Sequence, residues 1–245
     1  DLDWKVLAKT NRLVTRRYQA ETELACHIVV DASGDLGTGV SAAHSRPPLE
    51  GSKFGYAICL AATLAAYLER RGEPVGLHVV AGEGVKYAHI PARTGKRHLA
   101  QIFLALASLK PAGQAALADT LAPIAPQTRR RSLVLVLSDF MEEPELWLES
   151  VRAFSARKTD FVAFHLADRK ELSLSFDTPS IFVSPEDGAE LVVDPIGAAE
   201  EFEDVVERFL TEVKHGIRKE GGRHIMTWTD RPMEMAIGRM IGGQG

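Results

Sequence analysis

The chain of 245 residues is long enough for one large α/β domain with a substantial core, or for two small domains. Its 29 lysines and arginines against 33 aspartates and glutamates give a formal net charge of −4, which favours neither a nucleic acid nor an anionic membrane as partner. The longest apolar stretch, residues 57–68, is shorter than the roughly 20 residues that a helix needs to cross a bilayer, so no membrane span is predicted.

Residues 1–24 are polar and rich in arginine and lysine, and we interpret them as an N-terminal arm that lies on a domain of residues 25–245. Within this domain, short apolar runs alternate with stretches whose apolar residues recur every three or four positions, which predicts alternating strands and helices. Strands are predicted at residues 25–31, 75–81, 85–90, 133–137, 160–165, 181–184, 190–193 and 224–228. Helices are predicted at residues 53–71, 96–108, 114–121, 144–157, 198–219 and 232–240.

This alternation indicates an α/β fold with a doubly wound, mostly parallel sheet. The strand at 75–81 mixes polar and apolar residues, so we expect it to be less buried than the two strands at 25–31 and 133–137. The runs at 181–184 and 190–193 are separated by a Pro-Glu-Asp-Gly turn, which is typical of a β-hairpin near the C-terminal part of the chain.

Cys26 and Cys59 are the only cysteines, and the pattern places one in a core strand and the other in an apolar helix. We expect two buried free thiols rather than a disulfide, which fits a reducing compartment and therefore a cytoplasmic location. The sequence contains neither a CxxC nor an HExxH pattern, so a structural zinc site is not expected.

Two of the predicted strands end on an aspartate. The apolar run at 26–30 stops at Asp31, and the run at 132–138 stops at Asp139. Continuous, β-branched runs are typical of parallel strands that are buried on both faces. In open α/β sheets, ligands bind beyond the carboxyl ends of the strands, where the strand order reverses. We therefore expect Asp31 and Asp139 to contribute to one shared site.

The loop after the first of these strands carries Asp31, Ser33 and Asp35 at alternate positions. Convergent oxygen side chains in a tight loop suit a small hard cation such as Mg²⁺ or Mn²⁺, with Asp139 as a fourth oxygen ligand. The alternative is that the carboxylates of Asp31 and Asp139 accept backbone N–H groups, with Ser33 and Asp35 as ordinary turn residues.

This arrangement resembles the metal-ion-dependent adhesion site of von Willebrand factor A-type domains. The pattern of those domains is Asp-x-Ser-x-Ser after the first strand, a threonine in a later loop, and an aspartate after the fourth strand. Asp31, Ser33 and Asp139 match three of these positions. The third position of the motif is Asp35, and the loop at 110–115, where the threonine is expected, contains no hydroxyl side chain.

A second resemblance covers nearly the whole chain. The pieces that carry it are Asp-Trp-Lys-Val-Leu-Ala-Lys-Thr at 3–10, Leu-Ser-Asp-Phe at 137–140, Phe-His-Leu-Ala-Asp at 164–168 and Thr-Trp-Thr-Asp-Arg-Pro at 227–232. They resemble a bacterial family called domain of unknown function 58, whose members are similar to von Willebrand A domains. The first piece usually follows a longer N-terminal part in that family, so we expect this chain to be a fragment or a processed product.

The resemblance also implies a class of partner. Members of the family are often encoded beside MoxR-type AAA+ ATPases and are thought to act with them in chaperone-like maturation of other proteins. We therefore interpret the chain as a protein-binding adaptor module rather than an enzyme, with a MoxR-type ATPase or its client as partner. A cation held by Asp31, Ser33, Asp35 and Asp139 would bridge to a carboxylate of that partner.

Two other functions stay open. The same carboxylates suit a metal-assisted phosphoester hydrolase, although no positioned base or phosphate-binding arginine or lysine is evident beside the motif. A structural protein whose metal site has been lost is the third hypothesis, which Asp35 and the missing threonine support.

Other ionisable residues are interpreted as structural. His27, His78 and His165 lie in predicted strands, where a histidine is more often a hydrogen-bonded structural residue than a base. Glu142 and Glu143 are expected to stabilise the start of the helix that follows them through its dipole.

Overall fold

The computed structural model describes residues 24–37, 52–81, 89–114, 116–128, 131–169, 172, 180–183, 190–193 and 195–243. The predicted N-terminal arm lies outside the described residues except for Leu24, and so does the loop at 38–51. The division of the chain at residue 25 therefore stays a prediction.

Strands and helices alternate along the chain as predicted. The strands are β1 (Cys26–Asp31), β2 (Val75–Val80), β3 (His89–Arg93), β4 (Leu133–Ser138), β5 (Asp160–Ala167), β6 (Ser180–Val183), β7 (Glu190–Val193) and β8 (Arg223–Trp228). The helices are α1 (Gly34–Gly37), α2 (Lys53–Arg70), α3 (Lys96–Ser108), α4 (Leu117–Leu121), α5 (Pro144–Ala156), α6 (Pro195–Lys219) and α7 (Met233–Ile241). The strand β3 lies later in the chain than the predicted 85–90, and only residues 89 and 90 of that range are described.

The main sheet has the order β3-β2-β1-β4-β5-β8. Every neighbouring pair is parallel except β2 and β3, which are antiparallel at one edge. This sheet confirms the doubly wound, mostly parallel α/β fold. The strands β6 and β7 pair separately in antiparallel register, which confirms the predicted hairpin.

Helices cover both faces of this sheet. Alternate residues of β1 enter two hydrophobic clusters: Ile28 and Val30 pack with α2, α3 and α7, whereas Val29 packs with α4, α5 and α6. Every residue of β1 and β2 is buried, so the expectation that the strand at 75–81 is less buried was wrong. Its polar residue His78 is accommodated by histidines of the two neighbouring strands rather than by solvent.

Of the two cysteines, Cys26 is fully buried, as expected, whereas Cys59 is only half-buried. Burial raises the pKa of the Cys26 thiol to about 12, and neither cysteine forms a disulfide. In the part of the chain that the structure describes, no helix combines the length and apolar character needed to cross a membrane.

The order of strands fixes where a ligand or partner is expected. The chain runs from β1 to β2 and β3 on one side, and then returns to place β4, β5 and β8 on the other side of β1. The strand order therefore reverses between β1 and β4, and open α/β sheets bind their ligands at the carboxyl ends of the strands at such a point.

Candidate functional site

The two predicted strand-end aspartates leave the sheet at the same edge. The strands β1 and β4 pair in parallel register with Val30 opposite Leu137, so Asp31 and Asp139 follow adjacent strands. Asp31 is fully buried and Asp139 is 5% exposed. The structure thus brings two buried carboxylates together at the point where the strand order reverses.

Ser138 links the two strand ends. Its hydroxyl donates to Asp31 Oδ2 at 2.6 Å and accepts the backbone N–H of Phe140 at 2.9 Å. The other oxygen, Asp31 Oδ1, accepts the backbone N–H of Ser33 at 2.9 Å. Asp31 therefore organises its own loop and joins it to β4. Ser138 was not among the predicted site residues, although a hydroxyl at the end of an apolar strand was a usable signal.

The turn after β4 is held by side-chain packing. Phe140 has a φ of +55°, in the left-handed region that residues with a Cβ rarely adopt. Its ring is buried, with its centroid 5.1 Å from that of Trp147 and 5.4 Å from that of His165. Because the surrounding rings fix Phe140, they also fix Asp139, whose backbone hydrogen-bonds to His165.

Lys53, which was not among the predicted site residues, brings a positive charge to this cluster. It is the first residue of α2, where Ser52 Oγ caps the helix by accepting the N–H of Gly55 at 2.9 Å. Its Nζ lies 2.8 Å from Asp139 Oδ2, and the two side chains are 9% and 7% exposed. Removing either partner of such a pair leaves an uncompensated buried charge, which is strongly destabilising.

The remaining motif residues lie in and beside the short helix α1. Ser33 is 2% exposed and directly precedes α1, whereas Asp35 lies within it and is half-buried. Of the four predicted ligands, Asp31 and Ser33 are joined by a hydrogen bond, and Asp139 is paired with Lys53.

The loop at 109–114 lies against the Asp31 loop. Ala112 N donates to Ala32 O and Gly34 N donates to Gly113 O, each at 2.9 Å. This is the loop in which the resemblance to von Willebrand A domains places a threonine ligand. The loop lies beside the motif as that resemblance implies, but its backbone, rather than a hydroxyl side chain, makes these contacts.

The electrostatics of the cluster explain why a cation is needed. Burial raises the pKa of Asp31 to about 6, and the nearby negative charge of Asp139 acts in the same direction. Hydrogen bonds from Ser138 and Ser33 oppose this rise. Two buried carboxyl groups on adjacent strand ends therefore need a compensating positive charge whenever both are ionised.

The donor atoms do not fit a divalent ion while Lys53 occupies its place. Asp139 Oδ2 is paired with an ammonium group, whose positive charge would repel a metal ion at this position. Among the described residues, no group of three or more His, Cys, Asp and Glu side chains is arranged to hold a metal. Binding of Mg²⁺ or Mn²⁺ at Asp31, Ser33, Asp35 and Asp139 stays a prediction that a titration can decide.

The strand histidines form hydrogen-bonded clusters. His27 Nδ1 lies 3.1 Å from His78 Nε2, and His78 Nδ1 lies 3.2 Å from His89 Nδ1 across the β1–β2–β3 edge. On the other side of the sheet, His165 Nδ1 lies 3.0 Å from His224 Nε2. Burial lowers the pKa of both His78 and His165 to about 3, so both rings are neutral at physiological pH.

Glu142 stabilises a different helix from the one predicted. Its Oε2 accepts the N–H of Leu117, the first residue of α4, at 2.7 Å. The helix α5, which follows Glu142 in the chain, begins at Pro144 without a side-chain cap. Glu142 thus stabilises the start of a helix that the sequence did not indicate as its partner, whereas the predicted dipole effect of Glu142 and Glu143 on α5 stays a prediction.

Solved structures share this fold. The conserved hypothetical protein BatB from Bacteroides thetaiotaomicron matches with a TM-score of 0.54 and 13% identity, over 90% of this chain and 98% of that chain. An aerotolerance-related membrane protein from Bacteroides fragilis matches with a TM-score of 0.54 and 14% identity, over 88% of this chain and 96% of that chain. At these identities the likeness concerns the fold alone.

Sequence relatives and a family model agree with the resemblance noted from the residues. The uncharacterized protein Rv1480 of Mycobacterium tuberculosis (strain ATCC 25618 / H37Rv) is 26% identical, over 98% of this chain and 73% of that protein. The uncharacterized protein Mb1516 of Mycobacterium bovis has the same identity and coverage. The model of the family described as "Protein of unknown function DUF58" matches residues 1–208. This chain therefore belongs to the DUF58 family.

Proposed function

We propose that this chain is a protein-binding adaptor that works with a MoxR-type AAA+ ATPase in the chaperone-like maturation of a client protein. The partner docks on the site face, which we define as residues 32–37, 109–114 and 139–143. The von Willebrand A-like fold supports a protein-interaction module in general terms. The MoxR-type partner is inferred from the family resemblance. Because such an ATPase requires ATP, the proposal also includes a cytoplasmic location.

The observation that carries the proposal is an exposed apolar side chain beside a rigid polar cluster. Met141 is 66% exposed, although it directly follows the buried residues Asp139 and Phe140. Leu146, in the first turn of α5, is 55% exposed. Single exposed apolar side chains are common on protein surfaces, so what distinguishes Met141 is its position at the carboxyl ends of the strands where the strand order reverses. Methionine also adapts well to the shape of a partner.

The site face also meets a second requirement for docking, because its loops are tied to one another. The Asp31 loop is joined to the loop at 109–114 by two backbone hydrogen bonds, and the Asp139 loop is joined to α4 through Glu142. A surface that is already ordered loses little conformational entropy when a partner binds.

We further propose that the cluster does not catalyse a reaction. A hydrolase would need a carboxylate free to hold a metal or to accept a proton from water. Asp139 is instead paired with Lys53, and the oxygens of Asp31 accept hydrogen bonds from Ser33 and Ser138.

The test is a binding measurement with a purified MoxR-type ATPase from the same organism, using wild-type protein, Met141→Glu and Leu104→Glu. Leu104 is a matched control because it is 72% exposed on α3, outside the site face. We expect Met141→Glu to raise the Kd at least about tenfold, as for a residue central to an interface, and Leu104→Glu to leave it unchanged. If the wild type does not bind, the ATPase partnership is wrong; if it binds and both variants bind equally well, the site face is wrong.

A further inference from the structure

The buried ion pair of Lys53 and Asp139 is unusual for the place it occupies. Lys53 is 7% exposed, whereas lysine is almost never buried unless it is paired. It also begins α2, where the positive end of the helix dipole disfavours a cation. The ammonium is therefore kept in place against two opposing effects, and Asp139 Oδ2, 2.8 Å from its Nζ, supplies an attraction that opposes them.

The ammonium serves the electrostatic role that a bound metal ion would have. Asp31 and Asp139 place two carboxylates at the ends of adjacent buried strands, and such a pair needs a cation nearby. A divalent ion would need several converging oxygen ligands. The loop at 110–114 adds no hydroxyl ligand, whereas Lys53 Nζ approaches Asp139 Oδ2 to 2.8 Å.

We propose that Lys53 is the resident cation of this site, that it excludes divalent metal ions, and that its removal opens a latent cation site formed by Asp31, Ser33 and Asp139. The inference concerns the same face as the proposed function but does not depend on the partner. It implies that partner binding at this face does not require a metal and is unaffected by a chelator.

The experiment is a titration of metal-free protein with Mn²⁺. Binding is measured by calorimetry and by the electron paramagnetic resonance signal of the free ion. The variant is Lys53→Met, which keeps most of the side-chain length and removes the charge. Lys110→Met is the matched control, because Lys110 is exposed on the same face and its removal changes the overall charge equally. Far-UV circular dichroism and urea unfolding establish that each variant is folded.

We expect Lys53→Met to bind one Mn²⁺ with a Kd of about 10⁻⁴–10⁻³ M, the range of weak oxygen sites. The wild type and Lys110→Met should bind at least about tenfold more weakly, and Lys53→Met combined with Asp139→Asn should lose the gain. Wild-type binding as tight as that of Lys53→Met would overturn the proposal. So would a folded Lys53→Met variant that binds no better than wild type.

A measurement on the wild type keeps the proposal testable if Lys53→Met does not fold. A ligand that binds only the native state raises the melting temperature by mass action. Millimolar Mn²⁺ should leave the melting temperature of the wild type unchanged. A rise that Asp139→Asn abolishes would show that a metal binds beside Lys53 and would overturn the inference. Because no ATPase is present in these titrations, their outcome is independent of whether the proposed partner binds.

Discussion

Phe140 gives a sharp test of how the end of β4 is held, because its ring and its backbone have opposite effects on stability. The ring is 1% exposed, so truncation to alanine should cost about 3–5 kcal/mol of unfolding free energy. In the folded state, the φ of +55° costs an alanine roughly 1–2 kcal/mol relative to a glycine. Part of this advantage is lost because glycine has the larger conformational entropy in the unfolded chain. We therefore expect Phe140→Gly to be more stable than Phe140→Ala by about 1 kcal/mol.

The assay is urea unfolding of the two variants at neutral pH. The control is the same pair of substitutions at Phe154, which is fully buried within α5. Its ring packs on that of Phe161, with 5.8 Å between the two ring centroids. In a helix, the glycine variant should be less stable than the alanine variant by about 1 kcal/mol. The order of the two variants at Phe154 should therefore be the opposite of their order at Phe140. If Phe140→Gly is less stable than Phe140→Ala by the same margin, the left-handed turn stores no strain and the reasoning is refuted.

Two further predictions concern pH. The pKa of Asp31 is raised from 3.8 to about 6, so its carboxyl stabilises the fold below pH 3.8 and this contribution is lost as the pH rises through 6. In the presence of EDTA, Asp31→Asn should therefore raise the free energy of unfolding by up to about 3 kcal/mol at pH 8 and change it little below pH 4. A lower free energy of unfolding at both pH values would contradict this prediction. The pKa of His78 is lowered from 6.5 to about 3 by burial and by the nearby His27 and His89, so its contribution is present above pH 6.5 and is lost as the pH falls towards 3. Its ring should stay neutral at pH 5 by NMR, and a titration midpoint near 6.5 would show that the ring is not buried as described.

The convergence of Asp31 and Asp139 at one edge of the sheet could be predicted because its cause is visible in the sequence. Buried parallel strands appear as uninterrupted apolar runs, and Asp31 and Asp139 end two of them. That β1 and β4 are neighbours follows from the doubly wound order, which the alternation of strands and helices already indicated. The sequence could not establish the burial of β2, since the residue that interrupts its apolar pattern, His78, pairs with histidines from other strands.

The contacts that determine the chemistry of the site could not be predicted, because they join residues that are distant in the chain. Lys53 pairs with Asp139 across 86 positions, and a lysine at the start of a helix is ordinarily solvated. Glu142 reaches the start of α4, which precedes it by 25 residues, rather than the adjacent α5. In both cases the type of interaction was foreseeable from charge, whereas the partner depended on the packing of the finished fold.

The identity of the cation at this site changes what the site can recognise. A metal ion held largely by neutral hydroxyls keeps enough positive charge to attract a carboxylate from a partner protein. Lys53 is instead paired with Asp139, and Asp31 adds a second carboxylate, so these three groups together keep one negative charge when both acids are ionised. A partner carboxylate would be repelled rather than bridged. If Lys53 is the cation of this site, as proposed, we expect recognition at this face to depend on the shape of its ordered loops and on the exposed side chain of Met141.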